Sequence, residues 1–217
     1  MNTATQKTTI INLDDVQPFG MGGRRLCFVH PENPSRCIKV LRTDENRVIR
    51  WRKSKIPAKW RRAYDNNAHE KKELERLYRK LGDEMSRHFP RSYGMITTSI
   101  GPGLELDLMR DDDGLISKDI RSLLLAGYPL AQLRDVFNQF GEFLLRHRIL
   151  TRNLLDHNLV VSMRDGKPYR IYMIDGMGDP AWLPLARWIP ALGTEKVKRR
   201  MKTAWTRFQI RSAEKSV

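Results

Sequence analysis

The hydrophobic pattern of this chain changes period part-way along, and that change restricts the fold more than any single motif. In the first half, apolar residues come in short β-type runs: Thr9 to Leu13, Leu26 to Val29, Arg36 to Leu41, Ser92 to Ile100 and Leu104 to Met109. Turn-forming stretches separate them, namely Gly20-Met21-Gly22-Gly23, Pro31-Glu32-Asn33-Pro34 and Gly101-Pro102-Gly103. One helix interrupts this series, from Asn67 to Leu81, with Leu74, Leu77, Tyr78 and Leu81 on one face. The second half is led by Leu130 to His147, where Leu133, Val136, Phe137, Phe140, Phe143 and Leu144 recur at helical spacing. A hairpin follows, Leu159 to Val161 and Tyr169 to Ile174 around Asp165-Gly166-Lys167-Pro168, and then a basic amphipathic helix carrying Val197, Met201, Trp205 and Phe208. The expected fold class is therefore α+β in two lobes: a polar leader over 1–8, a β-rich N-lobe over 9–109 and a helical C-lobe over 110–217.

Composition then excludes several classes. With 40% hydrophobic residues and aromatics spread throughout, the 217-residue chain has enough to build a core and is not disordered. The two cysteines, Cys27 and Cys37, match neither a zinc site nor a disulfide framework. The leader has no apolar core of the secretory kind, and no run approaches the ~20 apolar residues of a membrane span, so a cytoplasmic location is expected. Forty Lys and Arg against 25 Asp and Glu leave a net charge of +15. The excess gathers in Arg42 to Arg62 and in Lys196 to Arg211. Such patches attract nucleic acid, anionic lipid or phosphorylated substrates, or they are simply a solvated basic surface. No nucleic-acid-binding module is recognisable. The stretch Ala181 to Gly193 is too short and too proline-interrupted to span a bilayer; it belongs to the C-lobe core or dips into an anionic membrane surface.

Four pieces occur in an order that carries chemistry. A glycine turn (Gly20, Gly22, Gly23) precedes Lys39 inside the apolar strand CIKVL. Glu73 lies on the next helix, with Glu70 and Glu75 as rivals. Downstream, Thr151 to Asn158 reads TRNLLDHN, and the hairpin ends in Ile174-Asp175-Gly176. Phosphoryl transfer from ATP accounts for the set: glycine amides approach phosphate oxygens, a lysine held by a carboxylate neutralises them, and an amide and a carboxylate coordinate Mg²⁺. Asn158 stands five residues after Asn153, the Asp-to-Asn spacing of a kinase catalytic loop. Each piece alone also fits a plain turn, an edge-strand lysine or a solvated helix face.

Together GMGGRRLCFVHPENPSRCIKVLR, KKELERLYRKL, LELDLMRDDDG, ILTRNLLDHNLVV and MIDGMGD resemble the YrbL family, the PhoP regulatory network proteins, over about residues 13 to 193. That family is related to protein kinases and lipopolysaccharide core sugar kinases. The resemblance implies a bilobal, protein-kinase-like fold with an ATP cleft between the lobes and Asp107 to Arg110 near the hinge. It implies Gly20, Gly22, Gly23, Lys39 and Glu73 on the nucleotide, Asn158 and Asp175 on magnesium facing Lys39, and Arg152, Asn153 and Asp156 in the catalytic loop. The departures are specific. Arg25 replaces the third glycine, Thr151 the loop histidine and Asn153 the catalytic aspartate, while Asp175-Gly176 continues with Met177. An amide accepts no proton, so Asp156 is the candidate replacement base, or else a brace for the loop. Three functions stay open. One is a divergent phosphotransferase acting on an anionic acceptor, such as a lipid-linked phosphorylated sugar at the inner membrane face. The others are a regulatory pseudokinase and a basic nucleic-acid binder.

Overall fold

The computed structural model describes residues 10–42, 66–178 and 190–214. The leader over 1–8, most of the basic stretch Arg42 to Arg62 and the apolar residues 181–189 lie outside the described residues. The chain forms two compact units. Unit one contains described residues 10–42, 66–75 and 91–108; unit two contains 76–90 and 109 onward.

Unit one is an antiparallel five-stranded sheet in the order β1-β2-β3-β5-β4. Its strands are β1 (Gly20–Met21), β2 (Arg25–His30), β3 (Asn33–Leu41), β4 (Ser92–Thr98) and β5 (Gly101–Asp107). The central strand β3 is buried on both faces from Cys37 to Val40, which is why its sequence reads as a continuous apolar run rather than an alternation. Ile38 and Val40 pack with Phe28, Ile11 and Leu13 in the core of one face. Lys39 therefore projects from the opposite face. It pairs across the sheet with Cys27 on β2 and Leu104 on β5.

Two expectations in this unit are corrected. Of the run expected over Thr9 to Leu13, the described residues 10–13 form no full strand: Ile11 makes a single parallel bridge to Thr98, donating to the Thr97 carbonyl and accepting from Ser99 N. Gly101-Pro102-Gly103 is not the connecting turn but the start of β5, because Gly103 lies against Ile38, where a Cβ would come 2.5 Å from Ile38 Cγ2.

Helix α1 (Asn66–Leu81) begins in unit one. Its last part, residues 76–81, groups with unit two, as do residues 82–90, which the sequence alone places in the N-lobe. The reason is aromatic packing: His88 and Phe89 stack around Phe140 and Phe143, and the His88 carbonyl accepts from Met173 N. Unit two continues with β6 (Lys118–Asp119), α2 (Ile120–Leu125), α3 (Arg134–Arg146), β7 (Leu159–Arg164), β8 (Lys167–Met173) and α4 (Pro190–Ala213). β6, β7 and β8 form a small antiparallel sheet. Asp119 caps α2, its carboxylate accepting from Ser122 N at 2.6 Å. The amphipathic face of α3 presents Phe137 to Trp205 and Phe208 of α4, with ring centroids 5.3 and 5.4 Å apart.

Candidate functional site

The chemistry-bearing residues fall into two groups, one in each unit. In unit one the glycine turn joins β1 to β2, with Gly22 N donating to the Arg25 carbonyl. None of Gly20, Gly22 and Gly23 has a left-handed φ, and a Cβ would meet nothing within 4 Å at Gly23 and only ordinary contacts at the other two. Neither backbone strain nor crowding requires glycine there.

Behind the turn, Lys39 Nζ lies 2.8 Å from Glu70 Oε1, and both residues are buried. The pairing with Glu70, which sequence alone weighs beside Glu73, has a local basis. The reason lies one turn earlier on α1. Asn67, fully buried, donates to the Lys39 carbonyl at 2.7 Å and accepts from Arg25 Nη1 at 3.3 Å. These bonds set the rotation of α1 about its axis, and the residue three positions on then shares that face. Glu73 is itself buried one turn further along. Arg25, at the third-glycine position, is also buried and pairs with the other Glu70 oxygen, so one carboxylate holds two cations. Asn67 escaped notice because a polar residue at a helix start reads simply as a cap.

In unit two the loop Thr151–Asn158 is bound to the segment after β8. Thr151 bridges Met177, and Arg152 N donates to the Gly176 carbonyl at 2.7 Å. The Arg152 carbonyl in turn accepts from Arg200 on α4. Asn158 closes a short 3₁₀ turn, and its carbonyl accepts from Ile174 N at 2.9 Å. Gly176 has φ +81°, and a Cβ there would come 3.0 Å from Asn158 Nδ2 and 3.1 Å from the Asn153 carbonyl. Asn153, Asn158 and Asp175-Gly176 thus converge, although Asp175 comes 17 positions after Asn158 along the chain (175 − 158). The Asp175 carboxylate accepts from Gly176 N at 2.6 Å. Asn158 is buried, and among the described residues its side chain has no hydrogen-bond partner. Asn153 is exposed.

Asp156 is differently engaged. Its Oδ1 accepts from Arg121 Nη2 at 2.8 Å and Nε at 3.2 Å, and its Oδ2 stands 2.6 Å from Arg211 Nε. Burial opposes ionisation, but the Arg121 hydrogen bond and charge and the Arg211 charge outweigh it and hold the carboxyl below the usual carboxylate range. A carboxylate so paired is a weak proton acceptor. Neither arginine was foreseen, since each lies on a helix remote in sequence.

A carboxylate and an amide are oxygen donors of the kind that suit Mg²⁺, which takes few protein ligands and completes its shell with phosphate oxygens and water. Among the described residues no group of three or more His, Cys, Asp or Glu could hold a metal alone. No described helix is long and apolar enough to cross a membrane.

Comparison with known proteins bears on the fold and the family. A crystal structure of Rad53 residues 1–466 in complex with AMP-PNP superposes with a TM-score of 0.50 at 14% identity, covering 85% of this chain and 44% of that one. The fold is accordingly α+β and protein-kinase-like. The YrbL proteins of Escherichia coli (strain K12) and Shigella flexneri are each 26% identical over 204 residues, covering 92% of this chain and 86% of theirs. The sequence profile of the PhoP regulatory network protein YrbL matches residues 11–209. This kinase-like chain belongs to the family of PhoP regulatory network proteins YrbL.

Proposed function

We propose that this protein binds Mg·ATP and transfers its terminal phosphoryl group to an anionic acceptor. The observation that carries the reading is the buried Lys39–Glu70 ion pair at 2.8 Å, held by Asn67. A buried lysine fixed by a carboxylate is what a phosphate-binding strand needs, because the carboxylate holds the amine in one place and orients it. Glycines that neither strain nor crowding demands fit a turn whose amides approach phosphate oxygens. Unit two supplies Asp175 and Asn158 as the magnesium ligands; the metal, when bound, would neutralise phosphate charge. In the transfer, an acceptor hydroxyl oxygen bonds to the γ-phosphorus. The bond from that phosphorus to the bridging oxygen breaks, and ADP leaves with the electron pair. Asn153 accepts no proton and Asp156 is held by two arginines, so the hydroxyl proton passes to water. Lacking a general base costs ~10²–10⁴-fold in rate, leaving positioning and electrostatics to carry a slow reaction. The anionic acceptor class rests on the +15 charge.

The same arrangement around Asn153 and Asp156 favours a second reading, a pseudokinase that binds nucleotide without turnover. Thermal shift and ATP consumption separate the two. Mg·ATP at ~100 times its dissociation constant should add ~2.7 kcal/mol of stability. Lys39→Ala and Asp175→Ala should abolish that gain. An unchanged melting temperature at millimolar Mg·ATP sinks both readings. Stabilisation with no phosphoryl transfer selects the pseudokinase, and in that case Asn153→Asp should leave nucleotide binding intact.

A further inference from the structure

A cavity of about 350 Å³ opens within unit two beside the catalytic-type loop. Its lining includes Arg121 from α2, Asn153 and Asp156 from the loop, Arg207 and Arg211 from the end of α4, and Glu214 just after it. We infer that this cavity binds the phosphate group of a phosphorylated acceptor and presents one of that acceptor's hydroxyls at Asn153. The inference rests on the phosphotransferase reading and names the acceptor for it.

The argument begins with donors. Asp156 anchors two guanidinium groups, taking Nε and Nη2 of Arg121 and Nε of Arg211. Arg121 Nη1 and both η nitrogens of Arg211 have no carboxylate partner among the described residues, and the Arg207 side chain has no ion-pair or hydrogen-bond partner there. Two of the three forks are therefore held in place before any ligand arrives, which lowers the entropy lost on binding. Charge points the same way: three arginines against Asp156 and Glu214 leave one net positive charge (3 − 2) facing the cavity. A phosphate monoester brings nearly two negative charges and acceptor oxygens that match planar guanidinium donors. The lining contains no aromatic ring, so nothing is offered on which a nucleobase would stack. Asn153 is exposed on this cavity, and it occupies the position where a kinase meets the acceptor hydroxyl.

Calorimetric titration with glucose 6-phosphate, and with glucose as the uncharged control, tests the inference. The sugar phosphate should bind and glucose should not. Arg207 is exposed and unpartnered, so Arg207→Ala should fold normally and weaken binding about tenfold, the worth of one charged hydrogen bond. Arg207→Lys should restore part of it, and Lys39→Ala should leave it unchanged. No binding at millimolar glucose 6-phosphate, or equal binding by Arg207→Ala, overturns the inference. Mg·ATP stabilisation measured on the same protein keeps the two failures apart. Stabilisation by Mg·ATP without sugar-phosphate binding removes only the acceptor assignment. Sugar-phosphate binding without any response to Mg·ATP overturns the phosphotransferase reading and leaves the cavity as a phosphate site.

Discussion

Glu70 shows how much depends on one carboxylate. Its two oxygens meet Arg25 and Lys39, all three side chains being buried, while Asn67 ties the same helical turn to the Lys39 carbonyl. Removing it leaves two buried cations without the oxygen ligands they share, which in comparable buried pairs costs ~3–5 kcal/mol. Glu70→Ala should therefore lose about that much in urea denaturation and respond to Mg·ATP less than the wild type. A loss below about 1 kcal/mol would show that the pair is not structural. The lysine and the glycine turn were legible from residues 20 to 41, because a charge within an apolar strand and clustered glycines are local signals. The choice among Glu70, Glu73 and Glu75 was not legible, since three carboxylates crowd one turn and a half of helix and only its rotation about the axis distinguishes them.

Elements constrain substitutions according to what they pack against. Gly103 on β5 faces Ile38 of β3, which is wholly buried in a central strand and has nowhere to move. Gly141 on α3 faces the Cε tip of Met201, the end of a flexible, half-buried side chain. The same Gly→Ala change should therefore differ in outcome. At residue 103 overpacking should cost ~1–3 kcal/mol. At residue 141 the shift of Met201 is offset by the ~1 kcal/mol that alanine gains over glycine in a helix, giving a change near zero. Paired chemical denaturation curves check both, and equal losses at the two sites would contradict the packing argument. The existence and type of the long elements followed from their periodicity, as with α1 and the Phe-rich face of α3. The ends and short pieces did not follow. β6 has only two residues, and the strand expected at Thr9 to Leu13 reduces to one bridge at Ile11. Pieces that short owe their form to a neighbouring strand, not to their own propensity.

For the whole molecule, acid is the condition that should distinguish folded from unfolded most sharply. His88 is buried, and burial pushes its imidazole down to about 4, against the opposing hydrogen bond to the Ile171 carbonyl. The unfolded chain takes up this proton near pH 6.5, while the folded one resists until about pH 4. Stability should therefore fall as pH drops through that window, by about 3 kcal/mol in all. Asp156, held below its ordinary range, adds a loss of the same sign as pH falls further. Urea titrations from pH 7 to pH 4 test this, and His88→Asn should flatten the upper part of the profile; an unchanged slope in that variant assigns the dependence elsewhere. By itself the sequence determined the order of elements, the lysine strand, the Asn153-to-Asn158 spacing and the Asp175-Gly176 turn. Periodicity, glycine placement and short spacing are written in neighbouring residues. Only the tertiary structure decided which carboxylate meets Lys39, that Arg121 and Arg211 hold Asp156, and that Gly176 lies against Asn158. Those outcomes depend on how a helix is rotated on a sheet and on which distant arginines reach one carboxylate. Such contacts join residues far apart along the chain, and no local pattern encodes them.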